Sequence, residues 1–414
     1  MGDRMMGEES ETDRANPRPD KLRVLTLSSL YPDRTRPTFG VFVERQTLGL
    51  AARPDVEVRV AAPIAVPPTA LLKLHPHYRD LSSQPRVEQY KGLTVYRHPF
   101  RTLPFIGKRW NPLSIAWALI PLLDDLYREF PFDVIDAEFF YPDGPAAMRI
   151  ARHFNVPFSI KARGGDIHFW TDNPACKRAI QAAGKTADGL LAVSEEMRND
   201  MIALGMPAER IKVHHTGVDQ EAFRPIDRAA AKAALGISGA LILTVGYLIA
   251  RKGQTLVIDA MLEIPDATLL IVGQGPDKAA LEEQIRARGL QDRVRLIGPK
   301  AHEDLPPLFA AADVMALPSA SEGLANVWVE ATACGTPIVI ADIGGAREVV
   351  ESPSAGRIVE RTPTAIAAAI NELLANPPAQ ADVAKAAAKF TWARNTETLY
   401  AHLRSIVDAF PGKQ

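Results

Sequence analysis

Short, almost wholly apolar runs recur along this chain, each followed by a glycine- or proline-bearing loop and then by a segment of helical periodicity. Apolar runs without alternation read as strands buried on both faces, the habit of parallel sheets. In the first half they fall at residues 21–27, 56–61, 93–98, 134–137, 158–162, 189–193 and 211–214. In the second half they fall at 241–245, 267–272, 294–297, 314–317 and 338–341. Helical segments are expected at 41–52, up to 154, from Ser194, at 302–311, 327–334, 364–374 and 383–390, and from Thr391 to about Phe410. Strand and helix alternate in both halves. That predicts an α/β protein of two doubly wound parallel sheets facing one another across a cleft.

Composition narrows the partners. A chain of 414 residues exceeds one core and suits two domains. With 47% hydrophobic residues and a net charge of −1 there is no basic excess to hold nucleic acid. The two cysteines, Cys176 and Cys334, are far apart in structured segments, so reduced thiols and a cytoplasmic location are expected. His214 and His215 would point in opposite directions on a strand end, and no metal-type Cys/His spacing is visible. Residues 1–20 are polar, carry Pro17 and Pro19, and are expected to be disordered and not a signal peptide. The longest apolar run, 113–123, is about half of the ~20 residues a spanning helix needs and contains Pro121.

The chemistry concentrates at residues 319–337, SASEGLANVWVEATACGTP. Glu322 and Glu330 stand eight positions apart. Asn326 occupies a cap position, Gly335 a left-handed stop, and Pro337 cannot continue a helix. A loop and helix start therefore follow the buried strand 314–317 at its carboxyl end, where parallel sheets bind ligands and bare N–H groups suit a phosphate. Glu330, one turn in, is placed to accept from a sugar hydroxyl pair. Two glutamates at this spacing are, alone, what any surface helix carries. The frame EG-x-x-N-x-x-x-E-A-x-A-C-G-T-P is more specific, and it resembles the signature of retaining glycosyltransferase family 4, which has the GT-B fold of two Rossmann-like domains. The resemblance implies that Glu330 holds the nucleotide ribose and that Glu322 faces the donor sugar. It also implies that the backbone of Gly323, Leu324, Ala325 and Asn326 lies along the diphosphate and sugar.

The resemblance extends from about residue 21 to 410. YPDRTRPTFGVFVERQ looks like the family's first loop, in which Gly40 approaches the reaction centre. At RGGDIHFW, family members commonly read His-Gly-x-Asp, the histidine touching the donor sugar. Here Arg163 stands in that place, beside Asp166 and His168, and a guanidinium that only donates favours an anionic group. Asp166 is expected on the acceptor side. TGVDQEAFRP, residues 216–225, matches the passage between domains. After Gly246 the family's arginine is replaced by Tyr247, while Lys252-Gly253 is kept. Lys252 is then the main diphosphate contact, with Arg251 a second positive charge and Gly273 in the nucleotide-side turn. The implied organisation is a tail at 1–20, an acceptor domain at 21–215, a donor domain at 216–390 and a helix at 391–414 packing back on the first domain.

The expected activity is transfer of a sugar from a nucleotide diphosphate sugar, of UDP or GDP type, to an acceptor hydroxyl with retained configuration. No Asp-x-Asp pair is present. Lys252, Arg251 and helix N-termini would neutralise the leaving group, so no metal and no cofactor are expected. Glu322 would orient the sugar and not act as a nucleophile. The irregular stretch 63–88 and the basic-aromatic segment 100–110 suggest a glycan or lipid-linked acceptor and peripheral contact with the inner face of a membrane. A core helix preceded by a mixed loop accounts for the latter segment equally well. The alternative function is a non-catalytic sugar- or nucleotide-binding component of a polysaccharide assembly complex, which Arg163 and Tyr247 would favour.

Overall fold

The computed structural model describes residues 21–68, 84–102 and 107–411. The expected tail at 1–20, residues 69–83 of the irregular stretch and 103–106 of the basic-aromatic segment lie outside the described residues. The strands are, in chain order, β1 (Leu22–Leu27), β2 (Val56–Ala61), β3 (Ile64–Val66), β4 (Val87–Tyr90), β5 (Leu93–Tyr96), β6 (Pro99–Arg101), β7 (Val134–Ala137), β8 (Phe158–Ala162), β9 (Gly189–Ala192) and β10 (Ile211–Val213). They continue as β11 (Ala240–Val245), β12 (Ala267–Val272), β13 (Val294–Gly298), β14 (Val314–Leu317), β15 (Ile338–Ala341) and β16 (Gly356–Val359).

The first sheet has the order β10-β9-β8-β7-β1-β2-β5-β4, and only the β4–β5 pair is antiparallel. The second is wholly parallel, in the order β13-β12-β11-β14-β15-β16. β3 and β6 form a separate parallel pair. Every residue of β7, β8, β9, β14 and β15 is buried, which is why these strands show no polar alternation, with Asp136 in β7 and Lys161 in β8 as the charges inside them. Strand order reverses between β1 and β7 in the first sheet and between β11 and β14 in the second. Crevices open at such switch points, at the carboxyl ends of the strands. The loops that follow β1, β8, β11 and β14 carry most of the candidate residues, and Gly273 follows β12.

Several boundaries differ from the sequence expectation. The run at 93–98 is interrupted after Tyr96, and Pro99 starts β6. The segment at 302–311 begins as a tighter turn, His302–Asp304, before the helix Leu305–Ala311, whose Pro306 and Pro307 fit a first turn. The 383–390 segment is a short helix, Gln380–Ala384, and a turn, Lys385–Ala387.

The helix Trp392–Ala409, capped by the Thr391 hydroxyl on the Arg394 N–H at 3.1 Å, packs on the first sheet. Its Leu399, Leu403 and Ile406 join Leu22, Val24, Val43 and Val58 in one buried cluster. Gly49 on the helix Val41–Ala51 allows the close approach: a Cβ there would lie 2.5 Å from Thr396 Oγ1. Two chain crossings join the halves side by side, since Val218 N–H donates to Phe390 O at 2.9 Å. The helix Asn111–Glu129 carries exposed Trp117, with Trp110 just before it. Among the described residues no helix is long and apolar enough to cross a membrane.

Candidate functional site

The loops after β11 and β14 meet first. Gly253, at φ 77°, ends the turn Ala250–Lys252, and any Cβ on it would press on the Pro318 carbonyl. This close approach brings Lys252 Nζ to 2.5 Å from Glu322 Oε1, with the Arg251 guanidinium 3.7 Å from Oε2 and bonded to the Ser321 carbonyl. Opposite them, Gly164 and Gly323 let the backbones of the two halves touch: a Cβ on Gly164 would lie 2.7 Å from Gly323 N. Phe42, Arg163, Gly246, Lys252, Glu322 and Ala325 line a space of about 250 Å³ here.

The helix Asn326–Ala333 opens into this space. Asn326 is its first residue and not its cap. Ala325 holds the cap position without a side-chain bond, and Asn326 lines the groove. Of the first-turn amides, Trp328 N–H bonds the cap carbonyl of Ala325 at 3.0 Å, while those of Asn326 and Val327 come before any carbonyl of their own helix that they could bond. The helix stops as expected, with Gly335 at φ 78°. Glu330, 7% exposed, lies one turn in, and its Oε1 is 2.8 Å from His302 Nε2. A second space of about 270 Å³ surrounds it, lined among others by Phe42, Arg45, Lys300, His302 and Asn326. Phe42, Asn326 and Val327 belong to both spaces, so one groove runs from Lys252 and Glu322 to Glu330.

The remaining candidates fall into different places. Gly40, at φ 75°, packs against the Leu30 carbonyl group, and its neighbours Thr38, Val41 and Phe42 line the groove. Gly246 lines it too. Gly273, in the turn after β12, is closely packed: a Cβ on it would run into the Gly246 carbonyl oxygen, leaving no room for a side chain. Asp166 is not at the acceptor side as a free acid. It is fully buried and accepts from the Phe140 N–H at 2.7 Å and the Arg163 N–H at 2.9 Å, which shapes the loop. Arg163 is not an unpaired cation. Its guanidinium is 6% exposed, binds the Glu138 carboxylate and carbonyl, and lies over the Phe42 ring at 4.7 Å. His168 spans the halves, with Nδ1 2.8 Å from Ser321 Oγ and Nε2 2.7 Å from Asp200 Oδ2. Tyr247 is 53% exposed.

Beneath Arg163 lies a buried network that the strand pattern concealed. Lys161 Nζ sits 2.7 Å from both Gln46 Oε1 and His214 Nδ1, and Gln46 in turn donates to Glu138. Burial pushes Glu138 up, but Arg163 and Lys161 outweigh it and hold the carboxyl below its usual range. Burial and the Glu138 charge push Asp136 well above its usual range. Burial and Arg163 depress Lys161, and burial and Lys161 depress His214. The only sequence signal was a charge inside each apolar run, Asp136 in β7 and Lys161 in β8. Arg45 and His302, which meet at 3.3 Å across 257 residues, gave none.

Comparison with known proteins agrees with this geometry. Residues 41–222 match the family model described as Glycosyltransferase Family 4, and residues 227–390 the one described as Glycosyl transferases group 1. Over 239 residues the chain is 35% identical to the D-inositol 3-phosphate glycosyltransferase of Mycobacterium tuberculosis, a match covering 54% of this chain and 50% of that protein. The chain thus spans about half the length of the curated relatives it matches. Sucrose-phosphate synthase from Thermosynechococcus elongatus superposes with a TM-score of 0.78 at 20% identity, over 94% of this chain and 100% of that one. Anabaena HepE in complex with UDP gives 0.69 at 23% identity, over 93% and 100%. These likenesses carry the fold, two facing Rossmann-like sheets, and the two family models take in one half each. The chain belongs to the family 4 glycosyltransferases of the GT-B fold.

Proposed function

We propose that this protein transfers a sugar from a nucleotide diphosphate sugar to an acceptor hydroxyl with retention of configuration and without a metal. The observation that carries the reading is the groove that joins the Lys252–Glu322 pair to Glu330 past the start of the helix Asn326–Ala333. In this reading residues 216–390 hold the donor and residues 21–215 the acceptor. Glu330 takes the ribose hydroxyls. The diphosphate lies on the first-turn amides and draws Lys252 from Glu322, with Arg251 as second cation. The bond from the anomeric carbon to the diphosphate breaks and the acceptor oxygen bonds to that carbon on the same face. The acceptor's proton passes to the leaving phosphate oxygen. Glu322 orients the sugar and supports the positive charge that develops on it.

Anabaena HepE, solved with UDP, supports a uridine donor. Lys252 and Arg251, both beside Glu322 at the groove, support charge neutralisation by the chain's own cations. Exposed Trp110 and Trp117, with Arg109 5.3 Å from the Trp110 ring, support contact with a membrane surface that presents a lipid-linked or glycan acceptor.

A thermal-shift series with UDP, GDP and ADP in EDTA tests the reading. A nucleotide at 100 times its dissociation constant adds about 2.7 kcal/mol. A shift with one nucleotide in EDTA is expected. No shift with any of them defeats the donor-site reading, and a shift that needs a divalent cation defeats its metal-free part.

A further inference from the structure

Glu330 does not stand alone. His302, from the turn after β13, puts Nε2 2.8 Å from its Oε1. On the other side of the ring, Nδ1 is 3.3 Å from the Arg45 guanidinium, which comes from the helix Val41–Ala51 of the first-sheet half. A guanidinium only donates, so Nδ1 accepts and the ring proton sits on Nε2, facing the carboxylate. The ring also packs on buried Phe223, centroids 5.0 Å apart. Three contacts from three segments thus fix one imidazole. That imidazole fixes one oxygen of Glu330 and leaves the other for a ligand.

We infer that His302, held by Arg45 and Phe223, is a positioning residue that sets the Glu330 carboxylate for the donor's ribose hydroxyls. The inference rests on the donor-site reading above and deepens it. A carboxylate on a helix has several rotamers, and hydrogen bonding to a vicinal diol requires one of them. The Nε2–H of His302, bonded to one oxygen, selects that rotamer. The Arg45 bond crosses the groove. The first-sheet half therefore contributes to nucleotide binding through His302, and the ribose site is complete only when the halves lie this close.

Calorimetric titration with UDP and with 2′,3′-dideoxy-UDP separates this role from a structural one. The guanosine or adenosine pair replaces the uridine pair if the wild type binds GDP or ADP. His302→Ala is expected to weaken UDP about tenfold, the loss of one hydrogen bond to a charged group. The same variant should bind dideoxy-UDP within about twofold of the wild type, because no hydroxyls remain for Glu330 to hold. His302→Gln, whose amide can donate to Glu330, should recover much of the UDP affinity. Arg45→Ala should lose about threefold, again only with the ribose hydroxyls present. If His302→Ala fails to fold, the Gln and Arg45 variants carry the same comparison. Equal losses for both nucleotides, or no loss for either, overturn the inference while leaving the donor site intact. A wild type that binds none of UDP, GDP and ADP removes the donor-site reading and the inference with it.

Discussion

The two sheets handle charge in opposite ways. In the first half Asp33, Glu44, Arg97, Asp136, Glu138, Asp143, Lys161, Asp166 and His214 are all buried. In the second sheet and its loops, among the described residues, Glu330 is the one charged side chain buried to that degree. Lys252, Glu322 and Arg251 stand at the groove, 15%, 10% and 43% exposed. The first arrangement is costly to desolvate and closed, because each charge already has a protein partner. The second is open to exchange, because the Lys252–Glu322 pair can part when an anion arrives. The lesson is that a charge network under a groove and a charge pair in it look alike in sequence but differ in what they can give to a ligand.

Removing one member from each arrangement gives the sharpest contrast. Glu138→Ala leaves Arg163 and Lys161 without their countercharge and should cost about 3–5 kcal/mol of stability, read by urea denaturation. A loss under about 1 kcal/mol would mean that the network is hydrated and not closed. Lys252→Ala should instead leave the urea midpoint nearly unchanged, since a part-exposed pair is worth ~0–1 kcal/mol, while kcat falls by about 10²–10³. An unchanged kcat would remove Lys252 from the leaving-group site. Glu330→Ala should raise the Kd for the nucleoside diphosphate by roughly ten- to a hundredfold, the worth of hydrogen bonds to a charged group, with a smaller change in kcat.

The last contrast concerns pH. Burial pushes the Asp143 carboxyl up to about 7, and its Oδ1 finds no partner in the structure. A folded-state value raised above the unfolded one makes a contribution that is present in acid and fades as pH rises from about 4 through about 7. Relative to Asp143→Asn, the wild type should therefore lose melting temperature across that interval. Parallel melting curves would show that the carboxyl is already ionised at low pH.

The fold was legible where burial is two-sided. β14 and β15 were bounded to the residue, because each is a pure apolar run with Pro318 or Pro337 beside it. The pattern fixed parallel sheets but not the strand order, which depends on crossovers between segments over a hundred residues apart. At the site, the spacing of Glu322 and Glu330 and the placing of Lys252 were readable because they belong to one local frame each. Asn326 was misread as a cap because local preference favours it there, whereas the groove claims its side chain. The partners of Arg163 and Asp166 were hidden for a related reason. Sequence shows a guanidinium and a carboxylate, but not that Glu138 and two backbone amides already occupy them.

The return of residues 392–409 to the first sheet also sets an order of manufacture. Leu22 and Val24 leave the ribosome well before Leu399, Leu403 and Ile406, which cover the same cluster. At ~5–20 residues per second, roughly ten to forty seconds separate the completion of β10 from the arrival of Trp392. Throughout that interval the amino-terminal half presents an uncovered apolar strip while the later half closes over its own clusters. Pulse proteolysis of chains ended at Phe390 would read this as cleavage in the first half with the second intact. In this molecule, loss of residues 392–409 is felt first in the half that was made before them.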